Sequence, residues 1–163
     1  MSDNNSPENS SDNTEPEIKP TPTINTIPSW FKIVAVVALV WNLLGVMAFV
    51  GQMMMTPEMV AELPQAEQDL YATTPIWATA AFAVAVFAGA LGSLALLLKK
   101  SLCYQLFVAS FVGVIVQMFH SFFISNSFEV YGPGGMIMPV MVIVIAFVLV
   151  RFAAKGINNK WFS

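Results

Sequence analysis

A few amide, hydroxyl and imidazole side chains within long apolar stretches are the residues that could do chemistry. Such groups hydrogen-bond to solute hydroxyls without carrying charge, so they predict a small polar cavity. Its candidate members are Trp41, Asn42, Gln52, Gln117, His120 and Ser121. Trp41 would offer a stacking surface for a sugar ring. In the alternative interpretation, Asn42 and His120 form structural hydrogen bonds between helices.

The spacing places several of these side chains on common helical faces. Ser110, Gly113, Gln117 and His120 follow one another at steps of 3, 4 and 3 residues. At about 1.5 Å of rise per residue, Asn42 and Gln117 lie at similar depth, and His120 lies nearer one surface. An ionisable residue within a membrane span is a functional candidate, but a neutral histidine near the interface also serves structure.

Methionines near His120 raise a further hypothesis, a site for Cu(I) or Ag(I). Thioethers and imidazole are soft ligands, and the residues concerned are Met55, Met118, His120 and Met138. The alternative is that methionine fills apolar gaps, as it does in many proteins. We predict no cofactor and no metal centre.

The absence of other motifs bears on the function class. The predicted spans contain no carboxylate, no phosphate-binding loop, no His/Cys ligand pair and no nucleophile–base set. The sequence therefore predicts a protein that is not an enzyme, and it disfavours exporters that couple to protons through a buried Glu.

Composition decides which elements position these residues. The 163 residues are 56% hydrophobic and only 10% charged, and residues 33–57, 70–98, 101–128 and 130–150 contain no Asp, Glu, Lys or Arg. About 20 apolar residues in a helix cross a bilayer. This pattern excludes a soluble enzyme, a nucleic-acid binder and a secreted disulfide scaffold. It predicts an all-α, polytopic four-helix membrane bundle with spans of about 30–55, 75–98, 102–125 and 136–154.

The basic residues predict the orientation of the bundle. The loops between spans one and two and between spans three and four contain acids and no base, whereas all seven Lys and Arg lie toward the other side. The positive-inside rule then places both termini in the cytoplasm, in the inner membrane of a bacterium. A short helix is expected in the first external loop, starting at Thr56-Pro57.

The remaining chain divides into two tails around a transmembrane domain at 29–155. Residues 1–28 are acidic and rich in Ser, Asn, Pro and Thr, which predicts a disordered cytoplasmic tail. Residues 156–163 are expected to form a short cytoplasmic C-terminal tail.

Small residues repeat along the second span. They are Ala78, Ala81, Ala85, Ala88, Gly92 and Ala95, at steps of 3 and 4. Because lipid provides no hydrophobic force between helices, small residues supply packing by close backbone approach. This face predicts packing inside the bundle, or alternatively a seam with a second copy or with a larger membrane partner.

Several segments resemble a family of small bacterial four-span inner-membrane proteins that often carry an automatic sugar-transporter label. These segments are WNLLGVMA at 41–48, MTPE at 55–58, TPIW at 74–77, FAVAVFAGALG at 82–92 and VQMFHSF at 116–122. The resemblance covers residues 30–153 and implies a small-solute transporter, or a membrane subunit of one, with a sugar as nominal solute. Four helices leave little room for a sugar, so an oligomer is expected. The alternative is an accessory protein that docks a larger partner and transports nothing.

Overall fold

The structure is a computed structural model that describes residues 27–125 and 127–162, and within those ranges it contains helices and no strand. The α-helices are α1 (Trp30–Met53), α2 (Pro57–Ala61), α3 (Gln65–Thr73), α4 (Ile76–Leu97), α5 (Leu102–Phe119), α6 (Ser127–Tyr131) and α7 (Ile137–Asn158). A π-helix, His120–Ile124, continues α5, and a 3₁₀ turn, Pro133–Met136, precedes α7. The predicted disordered tail, up to residue 26, lies outside the described residues.

Four helical stretches are long and apolar enough to cross a membrane, which confirms the predicted number of spans. They are Trp30–Met53, Ile76–Leu97, Leu102–Ile124 and Pro133–Asn158. A helix pairs its backbone N–H and C=O groups internally, and lipid offers these groups no other partner. The chain is therefore a multi-pass membrane protein.

The long helices pack in a fixed order, with α1 on α4, α4 on α5 and α5 on α7. The start of α1, the ends of α4 and α7 and the start of α5 meet in one apolar core. We call this the basic end, because the described Lys and Arg residues lie toward it: Lys32, Lys99, Lys100, Arg151, Lys155 and Lys160. The opposite, acidic end carries Glu58, Glu62, Glu67, Asp69 and Glu129.

The small-residue face of α4 lies inside this bundle. Ala78, Ala85, Gly92 and Ala95 are buried, and Ala81 and Ala88 are partly buried. A methyl group added to Gly92 would lie 3.0 Å from the Phe107 ring of α5. The packing interpretation therefore accounts for this face, because the chain's own helices cover it.

Helices α5 and α4 approach each other closely at Gly113. A methyl group at this position would lie 2.8 Å from the carbonyl oxygen of Ala81 and 2.8 Å from the backbone nitrogen of Ala85. Only a residue without a side chain allows the two backbones to approach this closely.

Aromatic rings close the basic end. The aromatic cluster consists of Trp30, Phe31, Phe152, Trp161 and Phe162, and neighbouring ring centroids lie 5.6–6.3 Å apart. Phe31 is 1% exposed. Residues 156–162, which the sequence analysis assigned to a tail, instead finish α7 at Asn158 and fold back, with Trp161 N–H donating to the Gly156 carbonyl at 2.9 Å. The physical reason is that Trp161 and Phe162 bury their rings against Phe31.

Two long helices start without a side-chain capping bond. The Ser29 hydroxyl forms no capping bond; the chain enters α1 through a turn in which Phe31 N–H donates to the Pro28 carbonyl at 3.0 Å. Pro75 occupies the cap position of α4. Thr74 does not cap α4, because its hydroxyl donates to the Leu70 carbonyl of α3 at 2.6 Å.

The segment between α1 and α4 forms two short helices at the acidic end. The Thr56 hydroxyl accepts from Met59 N–H at 3.3 Å at the start of α2. Hydrogen bonds from its own backbone and from Thr56 lower the pKa of Glu58. The Gln68 amide of α3 donates to the Leu63 carbonyl at 2.8 Å and to the Ala61 carbonyl at 3.2 Å, which ties α3 to α2.

We expect Gly113→Ala to lower the thermal stability of the detergent-purified protein. The added methyl group presses on the α4 backbone, and overpacking of this kind costs about 1–3 kcal/mol. Gly51→Ala is the matched control, since nothing lies within 4 Å of a methyl group there. Equal melting temperatures for the two variants would contradict the close approach of α4 and α5.

Candidate functional site

A cavity of about 350 Å³, which we call the larger cavity, lies within the bundle between α1, α4, α5 and α7. Most of its lining is aliphatic or aromatic. The exceptions with a side-chain donor or acceptor are Trp41, Asn42, Ser110 and Gln117. A concave, mainly apolar site with a few polar groups is the usual form of a small-molecule site.

The position of this cavity follows from the packing order. Helices α1 and α7 flank it, but they are not a closely packed pair. They converge at the aromatic cluster, where Phe31 of α1 contacts Phe152 of α7. Phe107 and Leu149, which line the cavity, also belong to the core of the basic end, so the cavity is closed on that side.

A smaller cavity of about 80 Å³ lies at the acidic end. Its polar lining brings together four residues that the sequence analysis singled out, namely Gln52, Gln117, His120 and Ser121. Thr74, Thr79, Ser125 and Ser127 add hydroxyl groups, which the sequence analysis missed. The sequence feature that could have identified them is the group of Ser and Thr residues at the start of the second span and after the third span.

His120 is the most confined polar group of the smaller cavity. The residue is 4% exposed, and its Nε2 atom has no hydrogen-bond partner among the described residues. Its ring meets that of Trp77 edge to face, with centroids 5.2 Å apart and planes at 86°. A buried polar atom without a partner costs about 1–3 kcal/mol, so its retention needs an explanation.

A π-helix begins at His120, where the sequence predicted regular helix. Ser125 N–H donates to the His120 carbonyl at 3.0 Å, which is a five-residue step. The Ser125 hydroxyl donates to the Ser121 carbonyl at 3.1 Å. Single π-turns in α-helices are frequent at functional sites. No residue type in this segment marks such a turn, which explains why the sequence did not predict it.

Asn42 has a structural role between α1 and α4. Its amide nitrogen donates to the Ala38 carbonyl at 2.8 Å and to the Ser93 hydroxyl at 3.0 Å, so both donors are used. Its side-chain oxygen lies against Gly89, where any Cβ atom would collide with it. The Ser110 hydroxyl similarly joins α5 to α4, by donating to the Ala85 carbonyl at 2.6 Å. The cavity can therefore take few hydrogen bonds from Asn42.

Gln117 and Phe82 line both cavities and separate them. Unlike Asn42, the Gln117 amide forms no hydrogen bond among the described residues, so its donors and acceptor are free for a bound molecule. Gln117 is thus the polar side chain that a ligand could reach from either cavity.

The residues of the soft-metal hypothesis are distributed over different places. Met118 and Met138 line the larger cavity, His120 lines the smaller one, and Met55 lines neither. In residues 27–125 and 127–162 no group of three or more His, Cys, Asp or Glu could hold a metal ion. The Cu(I) or Ag(I) site therefore stays a prediction.

Comparisons with models of known families, with curated proteins and with solved structures find no match for this chain.

We expect Asn42→Ala and Gly89→Ala to be coupled. Each destabilises alone, the first by about 1 kcal/mol through lost interhelical hydrogen bonds. Gly89→Ala should cost less in the Asn42→Ala background, because the added methyl group no longer meets the amide oxygen. Thermal unfolding of the two single variants and the double variant measures this coupling. Simple additivity would contradict the contact between Asn42 and Gly89.

Proposed function

We propose that this multi-pass membrane protein binds a small amphipathic molecule in the larger cavity, as a transporter or as a membrane subunit of one. The observation that carries the proposal is a mid-bundle cavity that is bordered by the core residues Phe107 and Leu149 at one end and adjoins a polar cavity at the other. The apolar body of the solute would occupy the larger cavity, and its polar group would lie at Gln117.

The chemistry of the lining favours such a solute over a sugar. A sugar presents hydroxyl groups around its whole ring, and each one that is buried without a partner costs free energy. Asn42 has used its donors on Ala38 and Ser93, which leaves mainly Gln117, Ser110 and the Trp41 indole to serve several hydroxyls. The sugar that the family resemblance implies therefore becomes a comparison ligand in the test.

Unequal closure of the two ends supports transport. Apolar side chains and the aromatic cluster pack tightly at the basic end. Two neighbouring cavities, both lined by Gln117 and Phe82, lie between the acidic end and the middle of the bundle. An occupied site that opens to one side only is what a carrier needs in each of its states. Because the cavity lies within one chain, binding does not need the oligomer that the sequence analysis expected.

The proposal places the basic end and both termini in the cytoplasm of a bacterium. Lys and Arg favour the cytoplasmic side of a membrane, and the described ones lie toward one end of the bundle. The acidic end, with α2, α3 and the smaller cavity, would then face the outside.

The accessory-protein alternative relied on the small-residue face of α4 as a docking surface, and the chain's own helices cover this face. The small residues of α4 pack against α1 and α5, as the positions of Gly89 and Gly92 illustrate. A partner would have to dock elsewhere, so we favour solute binding.

We expect 6-bromohexan-1-ol to quench the tryptophan fluorescence of the purified protein saturably, because Trp41 lines the cavity and bromine quenches indole. Val142→Phe should abolish the saturable part by filling the cavity. Val144→Phe on the same helix is the matched control, since Val144 is 53% exposed and does not line the cavity.

Glucose, added as a competitor in the same titration, should not reduce the quenching. Quenching that rises without saturation in every variant would show partition into detergent only, and would refute the proposed site.

The orientation has its own test. In proteoliposomes of known orientation or intact cells, Asp69→Cys should react with a membrane-impermeant maleimide from outside, and Lys155→Cys should not. Both substitutions are made with Cys103→Ala, and Cys103 itself is 0% exposed. The reverse labelling pattern would invert the proposed topology.

A further inference from the structure

The smaller cavity, of about 80 Å³, is lined by a histidine that has no hydrogen-bond partner at one ring nitrogen. The Nε2 atom of His120 is buried and unpartnered among the described residues. By a comparable measure of volume, one water molecule needs roughly 10–15 Å³, so the space suits a polar group of several atoms. The cavity is therefore large enough for the polar head group of a ligand, and its polar side chains could hydrogen-bond to that head group.

Three kinds of side chain that can accept a hydrogen bond line this space. The side chains concerned are the His120 imidazole, the Gln52 and Gln117 amides and the Ser121 hydroxyl, all of which line the cavity. The two amide side chains form no hydrogen bond among the described residues. A primary ammonium group carries three N–H donors and no acceptor, as a lysine head does, so it matches such a set.

The charges around the cavity favour a cation. Helix α3, whose Leu70 lines the cavity, carries Glu67 and Asp69, and α6 carries Glu129. No Lys or Arg in the described part of the chain lies at this end. Clefts bordered by one sign of charge concentrate ligands of the opposite sign.

The negative charge of Glu67 affects the pKa of Tyr131, a tyrosine of α6. Burial is the main cause that raises the pKa of Tyr131 in α6, and the negative charge of Glu67 raises it further. A carboxylate ligand would meet the same repulsion and would find no cationic partner, which makes its burial costly.

We propose that the smaller cavity binds the primary ammonium head of an amphipathic alkylamine, whose chain extends past Gln117 into the larger cavity. The inference rests on the proposed function, because the larger cavity must accept the alkyl chain. Like a lysine side chain, an alkylamine is protonated at neutral pH. Its ammonium donates to the His120 imidazole, to a glutamine carbonyl oxygen and to the Ser121 hydroxyl.

The test compares three ligands that share a chain and differ in the head group. Hexylamine, hexan-1-ol and hexanoate compete with 6-bromohexan-1-ol for quenching of the detergent-purified full chain at pH 7. Hexylamine should displace the probe at about tenfold lower concentration than the other two, which corresponds to ~1.4 kcal/mol. High salt should reduce this advantage, because it screens the carboxylates of the acidic end.

Variants then locate the head group. His120→Phe keeps a ring against Trp77 and removes Nε2, so the amine should lose its advantage while hexan-1-ol competes as before. Gln117→Leu should also reduce the advantage. Gln105→Leu, on an exposed position of the same helix, is the matched control and should retain it. If His120→Phe does not fold, the comparison of Gln117→Leu with Gln105→Leu decides whether the ammonium group binds in the smaller cavity.

Each outcome separates the two proposals. Saturable probe binding with no preference for the amine, or with a preference that His120→Phe and Gln117→Leu leave intact, would overturn the ammonium site and leave the larger cavity standing. A preference for hexanoate would likewise overturn it. Absence of saturable probe binding would refute the proposed function itself.

Discussion

The close approach of α5 to α4 at Gly113 is the contact on which the rest of the bundle depends. With the α4 backbone 2.8 Å from a methyl group added there, the two helices form a tight central pair. Asn42 then attaches α1 to the same helix by donating to Ser93. Helix α1 packs on α4 and helix α7 packs on α5, and α1 meets α7 in the core of the basic end. The larger cavity is the space that this arrangement leaves between them.

Sequence reasoning predicted the helices well because the bilayer restricts the alternatives. Charge-free stretches of 20 or more residues have few other structures, and the Ala and Gly positions of α4 identified its packed face. Periodicity says which residues share a face but not which neighbour covers it. The assignment of Asn42 to the cavity or to helix packing therefore needed coordinates, which show its amide donating to Ala38 and Ser93.

The candidate site was predicted in part. Gln52, Gln117, His120 and Ser121 do meet around one cavity, since polar groups in spans turn toward protein and away from lipid. The sequence could not separate this cavity from the larger one, because Gln117 and Phe82 line both and residue spacing does not show where one cavity ends. The sequence also could not show that the C-terminal segment folds back, because the few residues after α7 have the composition of an ordinary tail.

The unpartnered nitrogen of His120 indicates which cavity would bind the polar end of a ligand. A chain that only needed a stable bundle would gain by replacing His120 with an apolar residue, because an unsatisfied buried polar atom lowers stability. The imidazole of His120 and the free amide of Gln117, which line a cavity beside an apolar one, are useful to a molecule with one polar head and one apolar body. The head would bind where the carboxylates of α3 and α6 dominate, and the body where the gap between α1 and α7 admits it. The polarity of the two cavities thus specifies how the ligand is oriented, with its chain toward the aromatic cluster.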